Sequence, residues 1–366
     1  FSISWGRIFP ENMDSVNHEG ITFYNNVIDT LLANGIEPFI DLYHWDLPQY
    51  IEDMGGLLNP EVIEQFCRYA EICFTHFGDR VNLWSTMNEP SVISLSSYET
   101  AGFPPFHANL QEALQVAHNL ILMHYKAVRI YRQLHLKGKI GAVVAFVPMY
   151  PATGSPEDQA AATRQVDIVC NWWLMPFFEG KYPESILAYP QFSEVMPQNF
   201  AAELRESFTP VDFIGINYYN PGAIKHEAGT RLDSTSVENF YVQTDYGFRI
   251  YPQGLYDSLV YIKEKYNNPL VYVTENGIGL EDSGAEDRTR EQFIQEHLRS
   301  ISRASQRGVN VMGYYYWSHL DTFECRKAYK FKFGLNRVDF DSQEKTRPRR
   351  GSWYYYQRII KENAVC

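Results

Sequence analysis

The chain has 366 residues, of which 45% are hydrophobic and 21% charged, the balance of an ordinary globular protein rather than of a disordered or membrane-inserted one. A formal net charge of −12 gives no footing for nucleic acid or anionic lipid as a partner. The five cysteines, Cys67, Cys73, Cys170, Cys325 and Cys366, are scattered and free of C-x-x-C spacing, which argues against a disulfide framework or zinc site and leans toward a reducing, cytoplasmic setting.

No repeat, low-complexity tract or Gly/Ser linker divides the chain, so residues 1–366 read as one domain. Phe1-Ser2-Ile3-Ser4-Trp5 is strand-like, and a helix near 22–34 stops at Gly35. An apolar strand follows at 37–45. The next helix, from Pro60 to Gly78, repeats Val62, Phe66, Tyr69, Cys73 and Phe77 at helical spacing. Further strands are expected at 81–88, 139–147, 212–218, 270–275 and 311–317, with helices near 110–134, 159–172, 254–266 and 288–307. Apolar strands alternating with helices indicate a parallel sheet covered by helices.

Two segments carry chemistry, Ser85-Thr86-Met87-Asn88-Glu89-Pro90 and Tyr272-Val273-Thr274-Glu275-Asn276-Gly277. In each, an apolar run ends in a carboxylate and is broken by Pro or Gly, as when a buried strand delivers a charge to its C-terminal rim. One such Glu alone reads best as a solvent-facing strand end; two in these contexts suit glycosidic bond cleavage by a paired acid and nucleophile. Active groups at the ends of different strands, without a Gly-rich dinucleotide loop, point to a (β/α)₈ TIM barrel rather than an open doubly wound sheet. Seven strands are recognisable where closure needs eight, so two explanations stand: a longer natural protein, which is the favoured expectation, or a truly shortened one. By itself the chain would keep two unpaired edges, act weakly and tend to self-associate.

The motifs Phe1-Ser2-Ile3-Ser4-Trp5, Tyr43-His44-Trp45-Asp46-Leu47-Pro48, Thr86-Met87-Asn88-Glu89-Pro90, Asn217-Tyr218-Tyr219, Thr274-Glu275-Asn276-Gly277 and Trp317-Ser318-His319-Leu320-Asp321-Thr322-Phe323-Glu324 occur in this order. Together they resemble glycoside hydrolase family 1, the retaining β-glucosidases and their relatives, over nearly the whole chain. The resemblance implies that Glu89 is the general acid/base, kept protonated near neutral pH by partial burial and a second carboxylate. It implies that Glu275 is the nucleophile, the two carboxyls standing about 5–5.5 Å apart. Tyr219 would hydrogen-bond that nucleophile, with Asn217 beside it. Asn88 would hold the sugar 2-hydroxyl, His44 a glycone hydroxyl with Trp45 next to it, and Trp317 would stack under the ring. Glu324 would chelate the outer glycone hydroxyls. No metal or other cofactor is implied.

The same resemblance narrows the substrate. Relatives that cleave 6-phosphorylated sugars carry Ser, Lys and Tyr where this chain has Glu324, Phe331 and Phe333, so a 6-phospho substrate is disfavoured. Thioglucosidases of the family have Gln in place of Glu89. The expected substrate is a small β-glucoside or oligosaccharide, with β-galactosides and β-fucosides as further glycones. The loops 91–106 and 223–247 are candidates for the aglycone side. Departures from the family pattern are Cys325 for Trp, Ala328 for Gly and Lys332 for Arg, and the sequence begins after the family's Arg and its first-strand Gln.

Three competing readings stay open at this point. A transglycosylase would use the same two glutamates. A catalytically silent glycan- or protein-binding relative would explain Cys325 but not the intact glutamates. A metal-dependent hydrolase is the weakest, since His44, His76, His118 and His124 lack ligand spacing. The basic runs around Arg326 to Lys332 and Arg347 to Arg350 read as solvated surface. The excess of aromatics reads first as core, and second as platforms for sugar rings. Oligomeric state is not readable from these patterns, a homo-oligomer being one option.

Overall fold

The computed structural model describes residues 1–238, 241–281 and 287–365, so Cys366 and residues 239 and 240 of the 223–247 loop lie outside the described residues. The chain forms two compact units, one of Phe1–Ala145 with Asp167–Gly215, the other of Phe146–Val166 with Ile216–Cys366.

In the first unit the strands Phe39–Asp41, Leu83–Asn88 and Lys139–Ala145 pair in parallel, Leu83 lying opposite both Phe39 and Lys139. Asp212 extends the pattern: its N–H donates to the Ile140 carbonyl at 2.9 Å and its carboxylate accepts the Ile140 N–H at 2.8 Å. Helices His18–Ala33, Glu61–Phe77 and Leu110–Gln133 belong to this unit. Asn17 and Asn109 cap two of them, each side chain accepting first-turn N–H groups. The expected spacing on Glu61–Phe77 is the buried face: Val62, Phe66, Tyr69, Cys73 and Phe77 are all inside. Phe74 meets Trp84 edge-on at 5.1 Å, and Tyr69 stacks on Trp5 at 5.2 Å. Each such buried ring contributes about 1.5–3 kcal/mol.

The segment 1–5 departs from the expected strand. Only Ser2 bridges to Asp41, and a helix starts at Trp5. The Ser4 carbonyl accepts the N–H groups of Arg7 and Ile8, which turns the chain out of the extended form. The helix expected at 159–172 is also divided. Its α-helical part is Pro156–Val166, and Asp167–Asn171 is a π-helical turn in which Asp167 accepts the Asn171 amide at 2.6 Å and the Ser185 hydroxyl at 2.5 Å.

In the second unit Val271–Asn276 and Val311–Tyr316 pair in parallel, with two register shifts. The Tyr218 N–H donates to the Glu275 carbonyl at 2.9 Å, setting the end of the Phe213–Asn217 strand beside Val271–Asn276. Helices Pro252–Lys265 and Arg288–Gln306 lie where expected. Ile278, Phe293, Ile294, Tyr316, Leu335 and Ile359 form a buried cluster. Ile359 comes from a helix, Gly351–Glu362, that the sequence reading did not place, because Trp353 to Tyr356 favour strand by propensity. Arg350, just before it, is a correction to the solvated basic run: it is 2% exposed and holds Asp321 through two hydrogen bonds of 3.0 and 2.9 Å. The small sheet of Met149–Pro151, Gly222–His226 and Ser234–Ser236 also went unread, its strands being too short to show a period.

Candidate active site

Four of the expected site residues come together in the first unit. The strand Leu83–Asn88 is buried along its length and ends at Glu89, which turns into the left-handed region at φ 47°. The Glu89 N–H is held by the Val143 carbonyl at 2.9 Å, so the turn is anchored to the next strand. Glu89 is 8% exposed and Asn88 4%. The Asn88 N–H donates to the Tyr43 carbonyl at 2.9 Å, and its carbonyl accepts the Trp45 indole N–H at 3.0 Å. Its side-chain amide lies 3.3 Å from His44 Nε2. When Nε2 accepts from that amide, Nδ1 carries the imidazole proton. Burial pushes His44 down to about 4, so it is neutral at physiological pH and can exchange hydrogen bonds with an uncharged ligand.

Trp45 also has positive φ, at 74°, and its ring meets Phe103 at 5.6 Å, on the 91–106 loop. Behind the strand, the Thr86 hydroxyl and His124 Nδ1 are 2.7 Å apart, and both residues are fully buried. Asp46, which follows this aromatic pair, is pushed up to about 6 by burial, against hydrogen bonds from Ser4 and the main chain.

The remaining five lie in the second unit. Glu275, 9% exposed, sits at the end of its strand, and the Tyr219 hydroxyl donates to its Oε2 at 2.7 Å. The neighbours of Glu275 lock it from both sides. The Thr274 hydroxyl donates to Asn217 Oδ1 at 2.7 Å, and the Asn276 amide donates to the Tyr218 carbonyl at 2.7 Å. Asn276 then passes the constraint on, its carbonyl accepting the Trp317 N–H at 3.0 Å.

Trp317 and Glu324 are brought together. Burial pushes Glu324 upward, and hydrogen bonds from Thr322 and Trp317 oppose that shift. Cys325, next in sequence, is exposed and its thiol is free. Phe331 and Phe333 are buried at 3% and 2%, and Tyr246 of the 223–247 loop packs against both rings at 5.2 and 5.3 Å. These two positions offer packing, with no polar group for a phosphate. Among the described residues no group of three or more His, Cys, Asp or Glu is placed to hold a metal ion, and no helix is long and apolar enough to cross a membrane.

The family model for glycosyl hydrolase family 1 matches residues 1–365. The chain belongs to that family. It is therefore a glycoside hydrolase, and its fold is of the (β/α)₈ barrel class, as the parallel strands and their covering helices already indicated. It is 37% identical over 371 residues to β-glucosidase A of Acetivibrio thermocellus, covering 99% of this chain and 82% of that one. It is also 37% identical to furcatin hydrolase of Viburnum furcatum, over 93% of this chain and 69% of the relative. Among solved structures, the Thermotoga maritima β-glucosidase in complex with deoxynojirimycin superposes with a TM-score of 0.95 at 36% identity, covering 100% of this chain and 83% of that one. The same enzyme with isofagomine lactam gives 0.94 at 36% identity, over 99% and 82%.

Proposed function

We propose that this glycoside hydrolase is a retaining exo-β-glycosidase that removes terminal non-reducing β-D-glucosyl residues, with β-galactosyl and β-fucosyl groups as further glycones. In this reading residues 1–366 work as one catalytic domain, and the substrate is a small β-glucoside or oligosaccharide. The observation that carries the reading is the hold on Glu275: a buried carboxylate at a strand end, oriented at one oxygen by Tyr219 at 2.7 Å. Such a carboxylate is aimed rather than merely present, which is what attack on an anomeric carbon requires. The relatives support the glucosyl preference through their names, β-glucosidase A in A. thermocellus and in T. maritima.

The steps follow from the residue types. Glu89 donates its proton to the glycosidic oxygen as Glu275 attacks, giving a covalent glycosyl ester and a free aglycone. Glu89, now a carboxylate, takes a proton from water, and the hydroxide displaces Glu275 from the sugar. Asn88 and the neutral His44 hold glycone hydroxyls, the former near the 2-position, where a hydrogen bond strengthens as the ring flattens. Trp45 adds an aromatic wall, Trp317 offers its face to the ring, and Glu324 accepts hydroxyls at the far side. Asn217 acts through Thr274, one residue before the nucleophile.

An aryl β-glucoside with a chromogenic leaving group tests the reading. Glu275→Gln is expected to abolish turnover. Glu89→Gln is expected to lower kcat/KM for substrates with poor leaving groups by about 10²–10⁴-fold and to spare kcat/KM for those that need no proton, while kcat falls for both because the second step loses its base. A released sugar that first appears as the α-anomer, or undiminished turnover in Glu275→Gln, would sink the proposal.

A further inference from the structure

Arg290 occupies a position that local rules disfavour. It stands in the first turn of the helix Arg288–Gln306, where the backbone dipole favours an acid over a cation. It is also completely buried, and burial alone would discourage its charge. Residues that break a local rule are compensated elsewhere. Here the compensation consists of an ion pair with the buried Asp287 and of hydrogen bonds to three segments that carry site residues.

Nη1 donates to the Ile278 carbonyl at 2.6 Å, three residues after Glu275. The same nitrogen reaches the Tyr316 hydroxyl at 2.9 Å, on the residue before Trp317. It also reaches the Phe333 carbonyl at 3.3 Å, while Nη2 donates to the Lys332 carbonyl at 3.0 Å, both on the stretch that returns from Glu324. Nε donates to Asp287 at 2.8 Å, and Ser352 donates to the same carboxylate oxygen. The planar guanidinium thus meets acceptors that arrive from three directions. A lysine ammonium is a point donor and cannot span them.

We propose that Arg290 is a positioning residue for the reaction. It fixes, at one point, the segment that follows the nucleophile, the strand end that presents Trp317, and the loop that returns from Glu324. It touches no substrate. This assignment rests on the retaining glycosidase reading for its effect on turnover, but not for its effect on the three segments.

The test is Arg290→Lys, read in two ways on the full chain. Hydrogen exchange is expected to accelerate in peptides covering 276–280 and 316–335 and to stay as in the parent in the strand Leu83–Asn88. On aryl glycosides, kcat/KM for the β-glucoside is expected to drop on the order of 100-fold, the scale of a small misplacement. The β-xyloside, which lacks the hydroxymethyl group, is expected to lose less, so that discrimination between the two narrows. Ile359→Ala, in the buried cluster that includes Ile278 and Tyr316 but with no part in these bonds, serves as the stability control and is expected to keep the parent's discrimination. Unchanged exchange in both peptides overturns the proposal whatever the activity. Faster exchange with parental discrimination overturns it too, leaving a purely structural arginine. If Glu275→Gln were fully active, the glycosidase reading would fall while the exchange result still judged the three-way hold. Should Arg290→Lys not fold, Tyr316→Phe removes one acceptor and is read the same way, with a smaller loss in the same peptides.

Discussion

Gly277 lies against the main chain of Trp317 so closely that a Cβ at 277 would stand 1.9 Å from the Trp317 carbonyl oxygen. The contact joins the residue two positions after Glu275 to the aromatic residue proposed to lie under the sugar. No flexible side chain is available to move aside, because the obstacle is backbone. Gly277→Ala therefore has to displace either the end of the Val271–Asn276 strand or Trp317. Overpacking of this type costs about 1–3 kcal/mol, which thermal unfolding would register as a modest drop. Activity on an aryl β-glucoside is expected to fall further than stability, by about 100-fold. A Gly277→Ala protein with parental kcat would show that the two segments move independently.

Tyr219→Phe isolates the hydroxyl that aims Glu275. Its 2.7 Å bond is made to a carboxylate, and such bonds contribute about 1.5–3 kcal/mol. The ring stays, and with it the packing against Phe248 at 5.3 Å, so folding is expected to be preserved. The loss is expected in kcat, between about 10- and 100-fold, with KM little changed. A variant that lost affinity but kept kcat would place Tyr219 on the sugar instead.

Arg350→Gln addresses the loop between Trp317 and Glu324. Arg350 is the buried partner of Asp321, and its Nη1 also holds the Gly334 carbonyl at 2.5 Å. Removing one member leaves a buried carboxylate uncompensated, a defect of about 3–5 kcal/mol. The expected outcome is a large drop in the urea midpoint, with partial recovery in Arg350→Gln/Asp321→Asn, where the stranded charge is gone. Equal midpoints for the single and double variants would mean that no stranded Asp321 charge destabilises the single variant.

Strands ending in carboxylates were legible because an apolar run, a charge and a chain breaker lie within six residues, as in Ser85 to Pro90. The helix Glu61–Phe77 was legible through its spacing. Arg350 was not, since a basic triplet near Pro348 looks solvated until Asp321 is found beside it in space. Arg290 left a fainter signal, a cation in the first turn of a helix, which becomes readable only once the helix start is known. The closeness of Gly277 to Trp317 leaves no local trace, because it is made by residues 40 positions apart that meet across paired strands. Chemistry held in one segment was readable; support shared between segments needed coordinates.

The pH dependence of stability offers a prediction on the strand that carries Glu89. His124 is fully buried and pushed down to about 3, from 6.5, by loss of water. It bonds Thr86 through Nδ1, its ring lies tilted against Phe177 at 4.5 Å, and its Nε2 has no partner among the described residues. The folded protein thus keeps His124 neutral while the unfolded chain protonates it below about 6.5. The unfolded state binds the extra proton, so the contribution of His124 to stability is full above 6.5 and is lost as pH falls toward 3. The slope approaches about 1.4 kcal/mol per pH unit once well inside that window. His124→Asn removes the titration. At pH 7.5 the variant is expected to be less stable than the parent by about 1–3 kcal/mol, from the lost ring packing and hydrogen bond. At pH 5 the gap is expected to close or invert. Urea midpoints at the two pH values measure it directly, and a gap that stays constant would mean that His124 is charged, or exposed to water, in the folded protein.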